Sequence, residues 1–270
     1  MKQGPPLEPD RGFALLIVLW TMVLLALLAT QLTASGRGEA RLALNLRAAA
    51  TVEAAADGAF NTALFHVLDA SDRHWRADGA AHTLGMPGAV AEIRIANEGG
   101  KINLNTAQPE VLAALLHSVG ADTATSRAIA NAIVTWRFPD AGRDPAAKRA
   151  AYLGAGRGYA PPNAPFEDVA ELGLVIGMTP DLLARMAPHL TIFHDGEPDI
   201  RLAGPVVRQA LTEAGGGVPP DPGGNVQEDV FEITAQAVES GGGRFLRRGI
   251  VKRGLRPETR PFNLLTWESG

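Results

Sequence analysis

Apolar and polar positions alternate along this chain in three different rhythms. Residues 13–32 carry no charge over about twenty positions. As a helix rising 1.5 Å per residue, that run is long enough to cross a hydrocarbon core of roughly 30 Å. From Arg41 to about Ala70 the rhythm changes, with Leu42, Leu46, Ala49, Ala56, Phe60, Ala63 and Val67 at the three- and four-residue spacing of one helical face. Glu53 interrupts that stripe. If the helix runs unbroken from Phe13 to Ala70, it is about 85 Å long. Gly36 and Gly38 are the places where it would loosen. Residues 70–88 read as a loop with turns at Asp78-Gly79 and Pro87-Gly88. Then residues 89–97, AVAEIRIAN, alternate in steps of two, as a half-buried strand does.

The helical period returns after Gly99-Gly100. Two helices are expected at 110–118 and 123–138, with Thr106 as cap and Pro109 in the first turn. A linker rich in Gly, Pro and Arg follows over 139–165. Residues 166–193 repeat the plan as helix, Gly177 hinge, Thr179 cap, Pro180 at the first helical position, helix and short strand. One more short helix, 206–214, precedes GGGVPPDPGGN, whose composition is that of a flexible linker. The C-terminus reads as a meander of three strands, 230–238, 245–253 and 262–267, with Phe231, Ile233, Ala235 and Ala237 sharing a face.

Composition changes this picture little. The chain has 270 residues, no Cys and a formal charge of −4. Disulfides and thiolate metal sites are excluded, and bulk nucleic-acid binding is disfavoured. The flanking charges orient the apolar run poorly, since Lys2 and Arg11 precede it while Arg37, Arg41 and Arg47 follow it. The positive-inside rule therefore mildly favours a cytoplasmic C-terminal body.

The start of the chain and the middle carry a family resemblance. A short polar leader ends at Gly12, and Phe13 opens the apolar helix, which resembles a type IV pilin or pseudopilin signal. The fifth residue from Phe13 is Ile17, where most of that family has Glu. A carboxylate in the bilayer costs about 2.5 kcal/mol or more unless paired, so its absence suits a subunit that enters first, with no neighbour ahead of it. The strand that ends in an acidic-Gly-Lys turn and continues as INLNTA (102–107) is similar to type II secretion protein K, the large minor pseudopilin.

That resemblance implies an α+β, pilin-like fold, a long N-terminal helix on a small antiparallel sheet, with a large all-α insert of two small SAM-like or helix-hairpin-helix-like domains. The parts would be a leader (1–12), a transmembrane helix (13–32), the amphipathic helix and first strand (33–100), and the insert (101–195, with subdomains 101–138 and 166–195). A short helix and linker (196–228) and the closing strands (229–270) would complete the chain. It also implies cleavage after Gly12 and methylation of Phe13 by a prepilin peptidase, a single pass through the inner membrane with a periplasmic body, and an assembly role for Ile17. The implied place is the tip of the pseudopilus, with minor pseudopilins of types I, J and H as partners. Two other readings stay open: ordinary signal cleavage at Thr33-Ala34-Ser35, and a membrane-anchored helix-hairpin-helix DNA binder of the competence type.

Candidate chemistry is sparse. No G-x-S-x-G, Walker loop or H-E-x-x-H is present, and an enzyme is not expected. His66, His74, His82, His117, His189 and His194 do not fall at ligand spacing. The hairpins Ser118-Val119-Gly120 and Val175-Ile176-Gly177 each lack the first Gly of a phosphate-binding hairpin, and residues 101–195 hold eight Lys/Arg against nine Asp/Glu. No phosphate footprint results. Asn103 and Asn105 are expected to fix a turn. No cofactor is expected. Calcium stays possible at Asp140 and Asp144, where the family often has a Trp-x-Asp-x-Asp run and this chain has Trp136-Arg137-Phe138-Pro139-Asp140. Arg137, Arg143, Lys148 and Arg149 oppose a cation there.

Overall fold

The structure, a computed structural model, describes residues 11–69, 71–138, 145–194, 196–215, 230–256 and 260–270, with the side chains of 11, 12, 14, 31–38, 40, 145 and 255–260 left aside. One helix, α1 (Arg11–Leu68), runs 58 residues without a break at Gly36 or Gly38. It leads into a five-stranded antiparallel sheet in the order β1-β2-β5-β6-β7. Its strands are β1 (Asp78–Met86), β2 (Ala89–Asn97), β5 (Val230–Val238), β6 (Arg244–Arg256) and β7 (Arg260–Ser269).

The C-terminal half of α1 lies across β2, β5 and β6 and touches β1. Ala56, Ala59, Phe60, Ala63 and Val67 pack on Ala91, Ile93, Ile95, Phe231, Ile233 and Val251, all buried. Small residues let the helix approach the sheet closely. At Gly249 an added Cβ would stand 2.8 Å from Phe60 Cζ and 3.0 Å from the Thr266 carbonyl, so only glycine leaves room for the ring. The stripe expected from periodicity is thus buried only from Val52 onward, and Leu42 and Leu46 stand exposed. The sheet reaches no further down the helix.

Between β2 and β5 the chain leaves the sheet and builds a separate helical body with its own core. Its elements are α2 (Pro109–Ser118), α3 (Thr123–Arg137), α4 (Pro145–Gly154), a 3-10 turn (Val169–Leu174), α5 (Pro180–Met186) and α6 (Pro205–Gly215), joined by the two-residue parallel pair β3 (Ile102–Asn103) and β4 (Leu190–Thr191). Leu112, Leu115, Leu116, Ile129, Ile133, Leu172 and Met186 fill it.

Four local expectations are corrected. Residues 78–86, read as loop, form edge strand β1: Gly and Ala weaken its periodicity, but pairing with β2 from Ala81 to Met86 holds it. The linker 139–165 contains α4, because Tyr152 buries itself against Trp136. The first helix of the second repeat is a 3-10 turn capped by Asp168 rather than an α-helix. Thr106 does not cap α2; Gln108 stands at the cap position with no side-chain bond, although Pro109 does open the helix.

Candidate functional site

Three regions contain the residues singled out above. The first is the start of α1. Gly12 lies in its opening turn, and Phe13, Ile17 and the apolar residues to Leu28 are exposed. The Thr21 hydroxyl lies within hydrogen-bond reach of the carbonyls of Ile17 and Val18 at 3.0 and 2.9 Å, so it is satisfied inside the helix. Among the described residues no helix is long and apolar enough to cross a membrane. The expected span 13–32 is therefore not supported as a crossing: side chains are described for Phe13 and for 15–30, which fall short of it, while those of Ala14, Gln31 and Leu32 lie outside the described residues.

The second region is the junction where β2 passes into the helical body. Asn97 ends the strand by accepting a hydrogen bond from Gly99 N at 2.7 Å, which closes a 3-10 turn, Glu98–Gly100. Gly100 lies against the backbone of Leu202 and Ala203, leaving no room for a Cβ. The turn buries Glu98, which is 2% exposed, beside the ammonium of Lys101. Lys101 Nζ also reaches Glu232 of β5 at 2.9 Å, and Arg248 Nε of β6 reaches the same carboxylate at 2.5 Å. Burial works against the Lys101 charge, yet Glu98 and Glu232 hold its pKa above the ordinary 10.5. Burial likewise opposes the Glu232 charge, but Lys101 and Arg248 hold its carboxyl below the ordinary 4.5. These charges form one wall of a groove of about 680 Å³ between the sheet and the helical body, whose other wall includes Leu183, Pro188 and Phe193.

INLNTA lies just beyond, and its asparagines do more than fix a turn. Asn103 Oδ1 accepts from Asn105 N at 2.7 Å while its amide donates to the His194 carbonyl. Asn105 binds the backbone of Phe166 in both directions, at 2.7 and 2.9 Å. Arg137, 5% exposed, donates to the carbonyls of Leu104 and Ala107. The motif is the knot that ties α3 and the second half of the helical body to the strand. Sequence reasoning read Arg137 only as a charge opposing a cation near Asp140, because its carbonyl partners lie 33 and 30 residues away along the chain.

The third region comprises the two hairpins. Gly120 and Gly177 adopt positive φ of 97° and 87°, as tight helix-helix turns require. At the first, the Asp122 carboxylate accepts from Ala124 N and Thr125 N, both at 3.0 Å. It occupies the N–H groups a phosphate would need. At the second, Thr179 Oγ1 accepts from Leu182 N at 3.2 Å. Three of the histidines make defined packing or polar contacts. His66 and His82 stack on the two sides of Trp75 at 4.4 and 4.2 Å, and His117 Nδ1 meets Glu213 at 2.9 Å. No group of three metal-ligating side chains occurs among the described residues, and the calcium candidates Asp140 and Asp144 lie outside them.

A long helix laid on an antiparallel sheet, with a helical body inserted between the second strand and the third in chain order that the sheet uses, defines the class: a two-part α+β protein. Residues 91–195 match the family model for type II secretion system (T2SS), protein K. The structure resembles that of a chain in the crystal structure of the GspK-GspI-GspJ complex from the type 2 secretion system of enterotoxigenic Escherichia coli, with a TM-score of 0.61 and 15% identity over 86% of this chain and 99% of that one. No curated protein matches the chain. Together the family match over residues 91–195 and the shared fold support similarity to type II secretion protein K.

Proposed function

We propose that this chain is the minor pseudopilin that caps the periplasmic pseudopilus and nucleates its assembly, in the company of pseudopilins of types I, J and H, for protein export across the outer membrane. The observation that carries the reading is the INLNTA knot inside the matched segment 91–195, which fixes a helical body beside a pilin-like helix and sheet. Such a body widens the subunit at one end of α1. A filament packed helix against helix has room for it only at the tip. The similar solved structure is of a GspK-GspI-GspJ complex, which supports partners of the I and J types here.

The exposed apolar start of α1 serves as the anchor in the inner membrane before assembly, with the body in the periplasm. Prepilin peptidase cuts after Gly12 and methylates Phe13. Ile17 leaves no carboxylate to be neutralised by a subunit ahead. No cofactor enters this role, and Asp140 and Asp144 remain the residues at which calcium would be sought. Mass spectrometry of the processed protein tests the first step: a methylated N-terminal Phe13 is expected, and a terminus near Ser35 would overturn it. Copurification with I-type and J-type pseudopilins tests the second. A stable complex is expected, and its absence would count against the tip role.

A further inference from the structure

Helix α4 turns a charge inward. Lys148 is 4% exposed, and Tyr152, one turn further along the same face, is buried against Trp136 of α3. A lysine ammonium is almost never buried so completely unless oxygen atoms replace its water. Here Lys148 Nζ donates to the Phe138 carbonyl at 2.9 Å and to Asn163 Oδ1 at 3.0 Å. Phe138 is the C-cap of α3, and Asn163 follows α4, so one ammonium gathers oxygens from both sides of the helix that carries it. Asn163 has a φ of 56° and is the one non-glycine of positive φ among the described residues, a conformation that Asn tolerates better than most side chains.

A second buried cation flanks the same residue. The guanidinium of Arg137 stands 5.2 Å from the centre of the Phe138 ring while it donates to the Leu104 and Ala107 carbonyls. Phe138 also takes the first acidic position of the Trp-x-Asp-x-Asp run, so a carboxylate is replaced there by a side chain set between two positive charges. Carbonyl and amide oxygens are donors that a hard cation takes. A doubly charged ion brought beside two buried positive groups would be repelled by both. We propose that the Lys148 ammonium serves as this protein's own cation, tying the end of α3 to the segment after α4 through Phe138 and Asn163, and that the helical body holds together without calcium. The inference goes beyond the pseudopilin reading and does not depend on the tip role.

The test uses the full chain in detergent. Its Tm is expected to be the same in millimolar calcium chloride and in EGTA, and equilibrium dialysis against radiolabelled calcium is expected to find no stoichiometric binding. Lys148→Met keeps the length of the stem and removes the charge. Its Tm is expected to fall by about 5 °C or more, with amide exchange in α4 roughly tenfold faster and exchange in α1 over the sheet unchanged. If that variant does not fold, Asn163→Ala, which removes one oxygen and leaves the Phe138 carbonyl, is expected to show the same pattern in smaller measure. A wild-type Tm raised by calcium, or a stoichiometrically bound ion, would overturn the proposal. So would a Lys148→Met protein, or in its place an Asn163→Ala protein, as stable and as slow to exchange as the wild type. None of these readouts involves a partner, so a failed copurification bears on the tip role alone.

Discussion

Single side chains decide how the two bodies of this protein are joined. Asn105 gives both amide groups to the backbone of Phe166, so Asn105→Ala strands a donor and an acceptor. The expected cost is about 2 kcal/mol, read as a lower urea midpoint with an unchanged slope. Glu232 sits between Lys101 and Arg248 and has its pKa depressed below 4.5 in the folded state. A depressed carboxyl stabilises above its unfolded pKa and loses that contribution as pH falls through its folded value. Unfolding free energy is therefore expected to drop on acidification from about pH 4.5 downward. Glu232→Gln flattens that slope and costs about 3 kcal/mol at neutral pH, because it leaves Lys101 with Glu98 alone. Denaturation curves from pH 3 to 7 on both proteins check the two statements together.

At the scale of elements, the contact of α1 with the sheet depends on one missing methyl group. A Cβ at Gly249 would meet Phe60 on one side and the Thr266 carbonyl on the other. Gly249→Ala is expected to cost about 1–3 kcal/mol through overpacking, seen as a fall in Tm, and Phe60→Leu in the same chain is expected to recover part of it. The amphipathic half of α1 was legible from its three- and four-residue spacing. Its length of contact was not, since Leu42 and Leu46 obey the same spacing as Phe60 and Ala63 yet lie beyond the sheet. Glu53, which looks like an interruption of the stripe, is explained only by Arg247, 194 residues away. Strand β1 and helix α4 escaped sequence reading for a similar reason, because weak local patterns were held by neighbours distant in sequence.

For the whole molecule, two cores meet across a charged junction, and the apolar start of α1 lies outside both. The full chain is expected to partition into a detergent phase, and a chain lacking residues up to Glu39 into the aqueous phase. Equal partitioning of the two would remove the anchor from the proposed function. Nucleic acid is not an expected partner, since the net charge is −4 and Asp122 occupies the N-terminus of α3. Retention on DNA is expected to stay negligible at moderate salt, and binding that falls steeply with added salt would contradict this.

By itself the sequence determined the local events: the apolar run, the strands that alternate, Pro109 and Pro180 at helix starts, and glycines at turns of positive φ. These depend on the periodicity and backbone freedom of neighbouring residues, which the chain order displays. INLNTA could be seen as a motif but not as a knot, and the tertiary structure alone decided its partners, Phe166, His194 and Arg137. The same holds for the Glu98–Lys101–Glu232–Arg248 junction. Burial and charge pairing are properties of which surfaces meet, and those surfaces come from segments far apart along the chain.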